Sequence, residues 1–174
     1  MQTNWYAIAG GVCSGKTTVI EELKKRGYTI VPEAAREIID EGLAEGKTLE
    51  EVRGDVLAFQ RQILARFGQK EGALARDEIA FFDRGRPDAR AFLAFNALPE
   101  PLDVTREVEG AAYKKVFMLA PLTHIPEYYR TERPEEIEHL HEHHVRAYES
   151  LPLVIQHVPV MSVSERVDFI VRNL

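Results

Sequence analysis

The chain is poor in cysteine, in long apolar runs and in positive charge. Its single cysteine, Cys13, excludes an internal disulfide and fits a reducing compartment. No apolar run approaches the ~20 residues that cross a bilayer, and the N-terminus lacks the basic, apolar and small-residue succession of a secretory signal. A net charge of −6 gives no basic footprint for duplex nucleic acid. We therefore expect a cytoplasmic protein that binds neither a membrane nor duplex nucleic acid.

Short apolar stretches of strand length alternate with segments of helical periodicity. The stretches predicted as strands are residues 5–9, 28–31, 79–83, 115–120 and 153–158. Near-continuous apolar strands separated by helices form parallel sheets that are covered on both faces. The predicted fold is therefore a three-layer α/β domain, with a five-stranded parallel sheet flanked by helices. At 174 residues the chain is most simply one such domain, and ligands of this fold bind at the carboxyl ends of the strands.

Two capping boxes mark predicted helix starts, Thr48–Glu51 and Ser162–Glu165. After the first of them, apolar residues recur at helical spacing: Val52, Val56, Phe59, Ile63 and Phe67. This pattern predicts one long helix that begins at Thr48.

A complete G-x-x-x-x-G-K-[ST] motif follows the first predicted strand and opens a helix, which is the context that a phosphate-binding loop requires. Its residues are Gly10, Gly11, Val12, Cys13, Ser14, Gly15, Lys16 and Thr17, and Thr18 completes the expected nucleotide-binding set. Backbone N–H groups of such a loop and the N-terminus of the helix form an anion site. Lys16 can reach the outer phosphates, and the Thr17 hydroxyl can ligate Mg²⁺. The motif predicts a site for a nucleoside triphosphate.

Charged residues follow two other predicted strands at the edge where the ligand of a parallel sheet lies. Asp83 is predicted as the second acid on the magnesium side, which holds metal-bound water or accepts a proton from an acceptor hydroxyl. The alternative is that Asp83 caps the helix that follows. Arg84 can neutralise charge on a transferred phosphoryl group. Glu33 and Arg36 follow the second strand, although an acid at a helix start is also what the helix dipole favours.

Two further polar segments each allow two interpretations. Arg130 and Arg133 lie in a stretch that either closes over the phosphates as a lid, within residues 122–140, or forms a solvated loop. A histidine-rich patch follows, and an i, i+4 pair within it could bind zinc. Its glutamate-rich surroundings favour an exposed helix face instead. The patch consists of His139, His141, His143 and His144.

Four motifs together resemble P-loop kinase-like predicted ATPases and nucleotide kinases. They are Gly10–Thr17, Pro32–Glu37, Asp83–Asp88 and Tyr129–Arg133. The pattern is similar to ribosylnicotinamide kinase domains, but Arg84 and Gly85 stand where those domains have a second acid. The Asp-Arg step after the third strand is similar to that of thymidylate and deoxynucleoside kinases.

The resemblance implies ATP- and Mg²⁺-dependent phosphoryl transfer to a small acceptor, namely a nucleoside, a nucleotide or a related metabolite. It implies that Asp83 is the base or the magnesium-side acid and that Arg84 clamps phosphate. It also implies that Glu33, with Arg36 and Asp88, binds the acceptor, and that Arg130 and Arg133 belong to the lid.

An NTPase or nucleotide-dependent switch that acts on a protein partner is the alternative function. Motor-type AAA ATPases place a glutamate beside the acid at the strand end, and here that position is Arg84, which favours the kinase. The acceptor and the oligomeric state stay open.

Overall fold

The computed structural model describes residues 3–122 and 134–174, and Pro134 and Glu135 without their side chains. The strands are β1 (Trp5–Ala9), β2 (Thr29–Val31), β3 (Ala80–Asp83), β4 (Lys115–Leu119) and β5 (Ile155–Val158). The helices are α1 (Lys16–Lys25), α2 (Ala34–Ala44), α3 (Leu49–Arg53), α4 (Val56–Gly72), α5 (Pro87–Phe95), α6 (Leu102–Glu109), α7 (Pro134–Glu149) and α8 (Val163–Arg172). None of these described helices is both long and apolar enough to cross a membrane.

The strands form one parallel sheet in the order β2-β3-β1-β4-β5. β1 lies at the centre of the sheet, and all five of its residues are buried, as is typical of a central parallel strand that is covered on both faces. Its two neighbours are β3 and β4, and the register places Ile8 beside both Asp83 and Phe117. The carboxyl ends of β1 and β3 therefore meet at one point of the sheet edge. The five-stranded parallel sheet expected from the sequence is confirmed.

Helices cover both faces of the sheet, and the side chains of successive residues in each strand point to opposite faces. Tyr6 and Ile8 pack in one apolar cluster with Val19 of α1 and Val167 of α8. Ala7 and Ala9 face the opposite cluster, which α2, α4 and α7 complete with Ile38, Phe59, Phe67 and Tyr148. The second face is the thicker one, since α5 and α6 form a further apolar cluster with α4. The space between these helices lies over the carboxyl ends of β2 and β3.

The long helix expected from Thr48 is divided in two, so that part of the prediction is wrong. The Thr48–Glu51 capping box is present, but α3 ends at Arg53. Asp55 then adopts an extended conformation, and its side chain accepts a hydrogen bond of 2.9 Å from the Ala58 N–H at the start of α4. Gly54 has low helix propensity and Asp55 is a strong cap, so together they outweigh the apolar spacing across them.

Candidate active site

The phosphate loop, residues 10–17, turns sharply between β1 and α1. Gly10, Cys13 and Gly15 have positive φ angles of 142°, 62° and 78°. At Gly10 a side chain is also excluded by space, because a Cβ there would lie 2.7 Å from the Leu119 carbonyl oxygen at the end of β4. Gly15 precedes the first residue of α1, so the loop presents the free N–H groups of the helix N-terminus.

Lys16 is buried, and its ammonium group is folded back onto the phosphate loop. Nζ donates to the carbonyl oxygens of Gly10 at 2.9 Å and Gly11 at 2.7 Å, and to Ser14 Oγ at 3.2 Å. Burial, and then the positive charge of Arg84, lowers the pKa of Lys16 to about 7. The loop therefore holds a weakly basic amine that a polyphosphate would stabilise in its charged form.

The two threonines after Lys16 differ in their hydrogen bonds. Thr18 Oγ1 donates to the Gly15 carbonyl oxygen at 2.9 Å, which closes the first turn of α1. Thr17 is exposed at the helix N-terminus. Its role as a metal ligand stays a prediction of the sequence motif.

Asp83 ends β3 directly beside the phosphate loop. β3 pairs with β1 in register, with Asp83 opposite Ile8, two residues before Gly10. Burial, and then the nearby charge of Glu33, raises the pKa of Asp83 above its usual range. A partly buried carboxylate with a raised pKa is a competent proton acceptor, and a second carboxylate close by suits a divalent cation.

Arg84 turns the chain away from the sheet and joins two acids around the strand ends. Its backbone has a positive φ of 71°, and its N–H donates to the Ile8 carbonyl oxygen at 3.1 Å. The guanidinium donates from Nε to Glu33 at 2.7 Å and from Nη1 to Asp88 at 3.1 Å. Burial opposes its charge, but Asp88 and Glu33 outweigh burial and raise the pKa of Arg84. Glu33, Arg84 and Asp88 thus form one connected charge network, and Asp83 lies close enough for the charges of Glu33 and Arg84 to affect its pKa.

Asp88 is buried at the start of α5, and its carboxylate contacts several polar groups. Its carboxylate accepts hydrogen bonds from Arg84, from the Gly85 N–H at 3.0 Å and from the Tyr148 hydroxyl, and His144 Nε2 lies 3.0 Å away. Burial would raise its pKa, but the hydrogen bond and charge of His144, with those of Arg84, hold that pKa well below its usual range. These donors occupy Asp88 in this structure, so a contact with substrate stays a prediction.

Asp83 is not the helix cap that one interpretation of the sequence assigns to it. Arg86 occupies the cap position of α5 without a side-chain cap hydrogen bond, and the Asp88 side chain accepts from the Gly85 N–H just before it. The Asp83 carboxylate instead lies near enough to Lys16 of the phosphate loop to raise the pKa of that lysine against the effect of burial.

A cavity of about 780 Å³ begins at this charge network and extends between α2, α4, α5 and α7. Val12 of the phosphate loop and Arg84 lie at its inner end, and Glu33 and Arg36 lie on one wall. Its other walls are largely apolar and include Phe59, Ile63, Phe67, Phe92, Phe95, Ile137 and Leu140. Arg84 also lies over the Phe92 ring, 5.9 Å from the ring centroid. The charged network thus opens into an aromatic chamber large enough for a small organic molecule.

Gln60 is a polar residue of this cavity that the sequence reasoning missed. Only 3% of the residue is exposed, and its Oε1 has no hydrogen-bond partner among the described residues. A buried, unpaired acceptor is unfavourable unless something donates to it. The only signal in the sequence is a polar residue next to Phe59 on the apolar side of α4, which periodicity alone does not separate from a surface glutamine.

The histidine-rich patch is not a uniformly exposed face, and that expectation is wrong. His144 is fully buried, with Nδ1 2.7 Å from the Leu140 carbonyl oxygen, and His141 is half-buried against the phosphate loop. His139 and His143 do share a face, with their Nε2 atoms 3.2 Å apart. Within residues 3–122 and 134–174, no three metal-ligating side chains come together as a metal site. α7 packs against both α5 and the loop, which is what buries two of the four histidines.

Arg166 of α8 is a second residue that the sequence reasoning missed. It is 2% exposed, and Nη1 donates to the Ser14 carbonyl oxygen in the phosphate loop at 2.7 Å. Its Nε and Nη2 have no partner in the described part of the chain, and burial lowers its pKa. A contact across 152 residues has no signature in the sequence.

Arg130 and Arg133 lie outside the described residues, as does most of the expected lid. Of the segment 122–140, residues 134–140 form the start of α7.

The sheet order and the loop after the central strand define the fold of P-loop nucleotide kinases. The chain is similar over 97% of its length to deoxyadenosine kinase from M. mycoides with products dCMP and dCDP bound, at 19% identity, TM-score 0.68 and 97% coverage of that chain. The same enzyme with bound dATP gives 18% identity, TM-score 0.66 and 97% coverage of both chains. YorR protein from Bacillus subtilis, in complex with phosphorylated GDP, gives 14% identity and TM-score 0.61, with 97% and 94% of the two chains covered. No curated protein matches the chain by sequence.

The sequence profile described as AAA domain matches residues 5–166. The chain belongs to this family. The match includes the phosphate loop, the acids after β2 and β3, the helices around the cavity, and Arg166.

Proposed function

We propose that this protein is an ATP- and Mg²⁺-dependent kinase that transfers a phosphoryl group to the hydroxyl of a nucleoside or a related small molecule. The observation that carries the proposal is the cavity, which begins at the phosphate loop, Glu33 and Arg84 and continues into the domain. Hydrolysis needs only water beside the terminal phosphate. A chamber of about 780 Å³ in that position suits a second substrate.

The phosphate loop is proposed to bind ATP, the phosphoryl donor. Backbone N–H groups of the loop and Lys16 would bind the phosphates, and Thr17 and Asp83 would hold Mg²⁺, whose charge would offset developing negative charge. The raised pKa of Asp83 also suits it to accept the proton of the acceptor hydroxyl. Arg84 would neutralise the transferred group, and Arg130 and Arg133 are proposed to close over the phosphates.

The acceptor side is argued from the cavity walls. Phe59, Phe92 and Phe95 offer ring faces and edges to a planar group. Gln60 Oε1 needs a donor such as an amino group or a ring N–H, and a nucleobase carries both kinds of surface. The M. mycoides enzyme is a deoxyadenosine kinase by name, which agrees with an acceptor of this class.

A nucleoside is favoured over a nucleotide as the acceptor. Arg84, the cation at the inner end of the cavity, is already matched by the carboxylates of Glu33 and Asp88. An acceptor phosphate placed there would meet two acids along with one arginine. Glu33 is better suited to accept a hydrogen bond from a sugar hydroxyl.

The test is ADP formation from ATP and Mg²⁺ with a panel of nucleosides, deoxynucleosides and their monophosphates, each checked for a phosphorylated product. We expect at least one nucleoside to raise ADP formation well above the rate without acceptor and to gain one phosphate. Basal hydrolysis that no panel member changes would contradict the kinase and favour the NTPase. Phosphorylation of monophosphates alone would replace the nucleoside with a nucleotide acceptor.

A further inference from the structure

Helix α7 contacts the phosphate loop and also lines the cavity. His141 of α7 accepts, through Nδ1, a hydrogen bond of 3.2 Å from the Gly11 backbone N–H. A Cβ at Gly11 would lie 2.9 Å from His141 Cβ and 3.1 Å from its Cα, so the two backbones are in direct contact. Residue 11 must therefore be glycine for α7 to approach.

Both backbone polar groups of Gly11, its N–H and its carbonyl oxygen, form hydrogen bonds. Its carbonyl oxygen accepts from Lys16 Nζ at 2.7 Å and from Ser14 Oγ at 2.9 Å, while its N–H donates to His141. A change at His141 thus acts on the residue that holds the phosphate-binding lysine.

Residues of α7 within two turns of His141 also contact the acceptor side of the proposed active site. Ile137 and Leu140 line the cavity, while His144 and Tyr148 contact Asp88, which pairs with Arg84. α7 therefore touches both halves of the proposed active site.

We propose that His141 is a positioning residue that ties the phosphate loop to α7, and that the tie exists only while its imidazole is neutral. This inference rests on the proposed function only for its effect on turnover, since the effect on nucleotide binding is independent of any acceptor. A neutral imidazole has one nitrogen that accepts, and protonation at Nδ1 removes it. Protonation also adds a positive charge beside Lys16.

The surroundings of His141 favour the neutral form. Burial first, and then the charges of His144 on its own helix, Lys16 in the loop and His157 on β5, lower the pKa of His141, and the charge of Glu142 opposes them. The tie is therefore intact at neutral pH and is lost at a pH below the ordinary histidine value of about 6.5. We expect the looser loop at acid pH to weaken nucleotide binding by more than the added positive charge of the imidazolium strengthens it.

The experiment measures the Kd of a fluorescent ATP analogue between pH 5 and 8 for the whole protein. We expect wild-type affinity to fall as the pH decreases below about 6.5, and His141→Ala to bind about fivefold more weakly at pH 7.5, the effect of one lost hydrogen bond. His141→Asn carries an amide oxygen near the position of Nδ1 and does not titrate. It should restore affinity at pH 7.5 and lack the decrease attributed to His141.

His143→Asn is the matched control, since His143 lies on α7 away from the loop and pairs with His139. It should keep the wild-type profile. Circular dichroism at each pH identifies any variant that has unfolded. A decrease that persists unchanged in a folded His141→Asn, or a His141→Ala that binds like the wild type, would overturn the proposal. Either result leaves the kinase proposal standing, because no acceptor is present.

Discussion

The phosphate loop and the cavity meet at Val12 and Arg84 but are built in different ways. The loop is eight consecutive residues whose working groups are backbone N–H groups and one lysine. The cavity takes side chains from the loop and from four helices, α2, α4, α5 and α7, and from the short α3. A backbone site tolerates change at most of its side chains, whereas a side-chain site changes its ligand with each substitution.

The largest effect is expected for Lys16→Ala, which disables the phosphate loop and leaves the cavity unchanged. Removing the cation should reduce turnover by at least about a hundredfold, because its charge stabilises the transferred phosphoryl group. The matched control is Lys24→Ala, which changes an exposed lysine of the same helix. Turnover within about twofold of the wild type for Lys16→Ala would remove the loop from the mechanism.

The same substitution should stabilise the protein without nucleotide. The pKa of Lys16 is about 7 in the folded chain and 10.5 in the reference state, so the unfolded chain binds the extra proton between those values. Wild-type stability must then rise with pH across that window, and the full penalty of the buried amine applies below pH 7. A thermal melt of Lys16→Ala at pH 7 should show a higher Tm than the wild type and a weaker pH dependence.

Asp83→Asn tests the acid that ends β3 beside the phosphate loop. The carboxylate is proposed to hold Mg²⁺ and accept a proton, so turnover should fall by about 10²–10⁴-fold. Nucleotide affinity should change much less, because the loop amides and Lys16 remain. Asp77→Asn, just before the opposite end of β3, is the control. Equal losses of turnover and affinity would assign Asp83 a structural role instead.

Gln60→Leu gives the smallest expected effect and alters the cavity alone. The leucine has a similar size but offers no acceptor, so the KM of the nucleoside should rise about tenfold while the KM of ATP is unchanged. The free energy of unfolding should not decrease, because an unpaired buried oxygen is removed. Gln62→Leu on the exposed side of α4 is the control. A rise in the KM of ATP would mean that the two halves are not separable at this residue.

The same division explains what could be predicted from the sequence. The phosphate loop is contiguous and its chemistry resides in a fixed pattern, so the proposed roles of Lys16 and Thr17 are predicted from spacing alone. Strand-end position was enough to place Asp83 beside the loop, because β3 pairs with β1 in the expected sheet.

Contacts between distant segments could not be predicted in this way. Arg166 reaches Ser14 across 152 residues, and His144 reaches Asp88 only because α7 packs on α5. Gln60 differs from an exposed glutamine only by what surrounds it. The break between α3 and α4 was missed because apolar spacing continues across Gly54 and Asp55, while the local cap decides the outcome.

The folded-back Lys16 couples the proposed nucleotide binding to pH. Burial lowers the pKa of its amine to about 7 in the nucleotide-free protein, so its charge changes with pH near neutrality. Phosphate oxygens in place of the loop carbonyls would raise that pKa again, and binding would then take up protons from the buffer. The apparent affinity for ATP then falls as the pH rises above 7, and the heat of binding depends on the ionisation enthalpy of the buffer. Below pH 7 the same loop binds its ligand with little proton exchange.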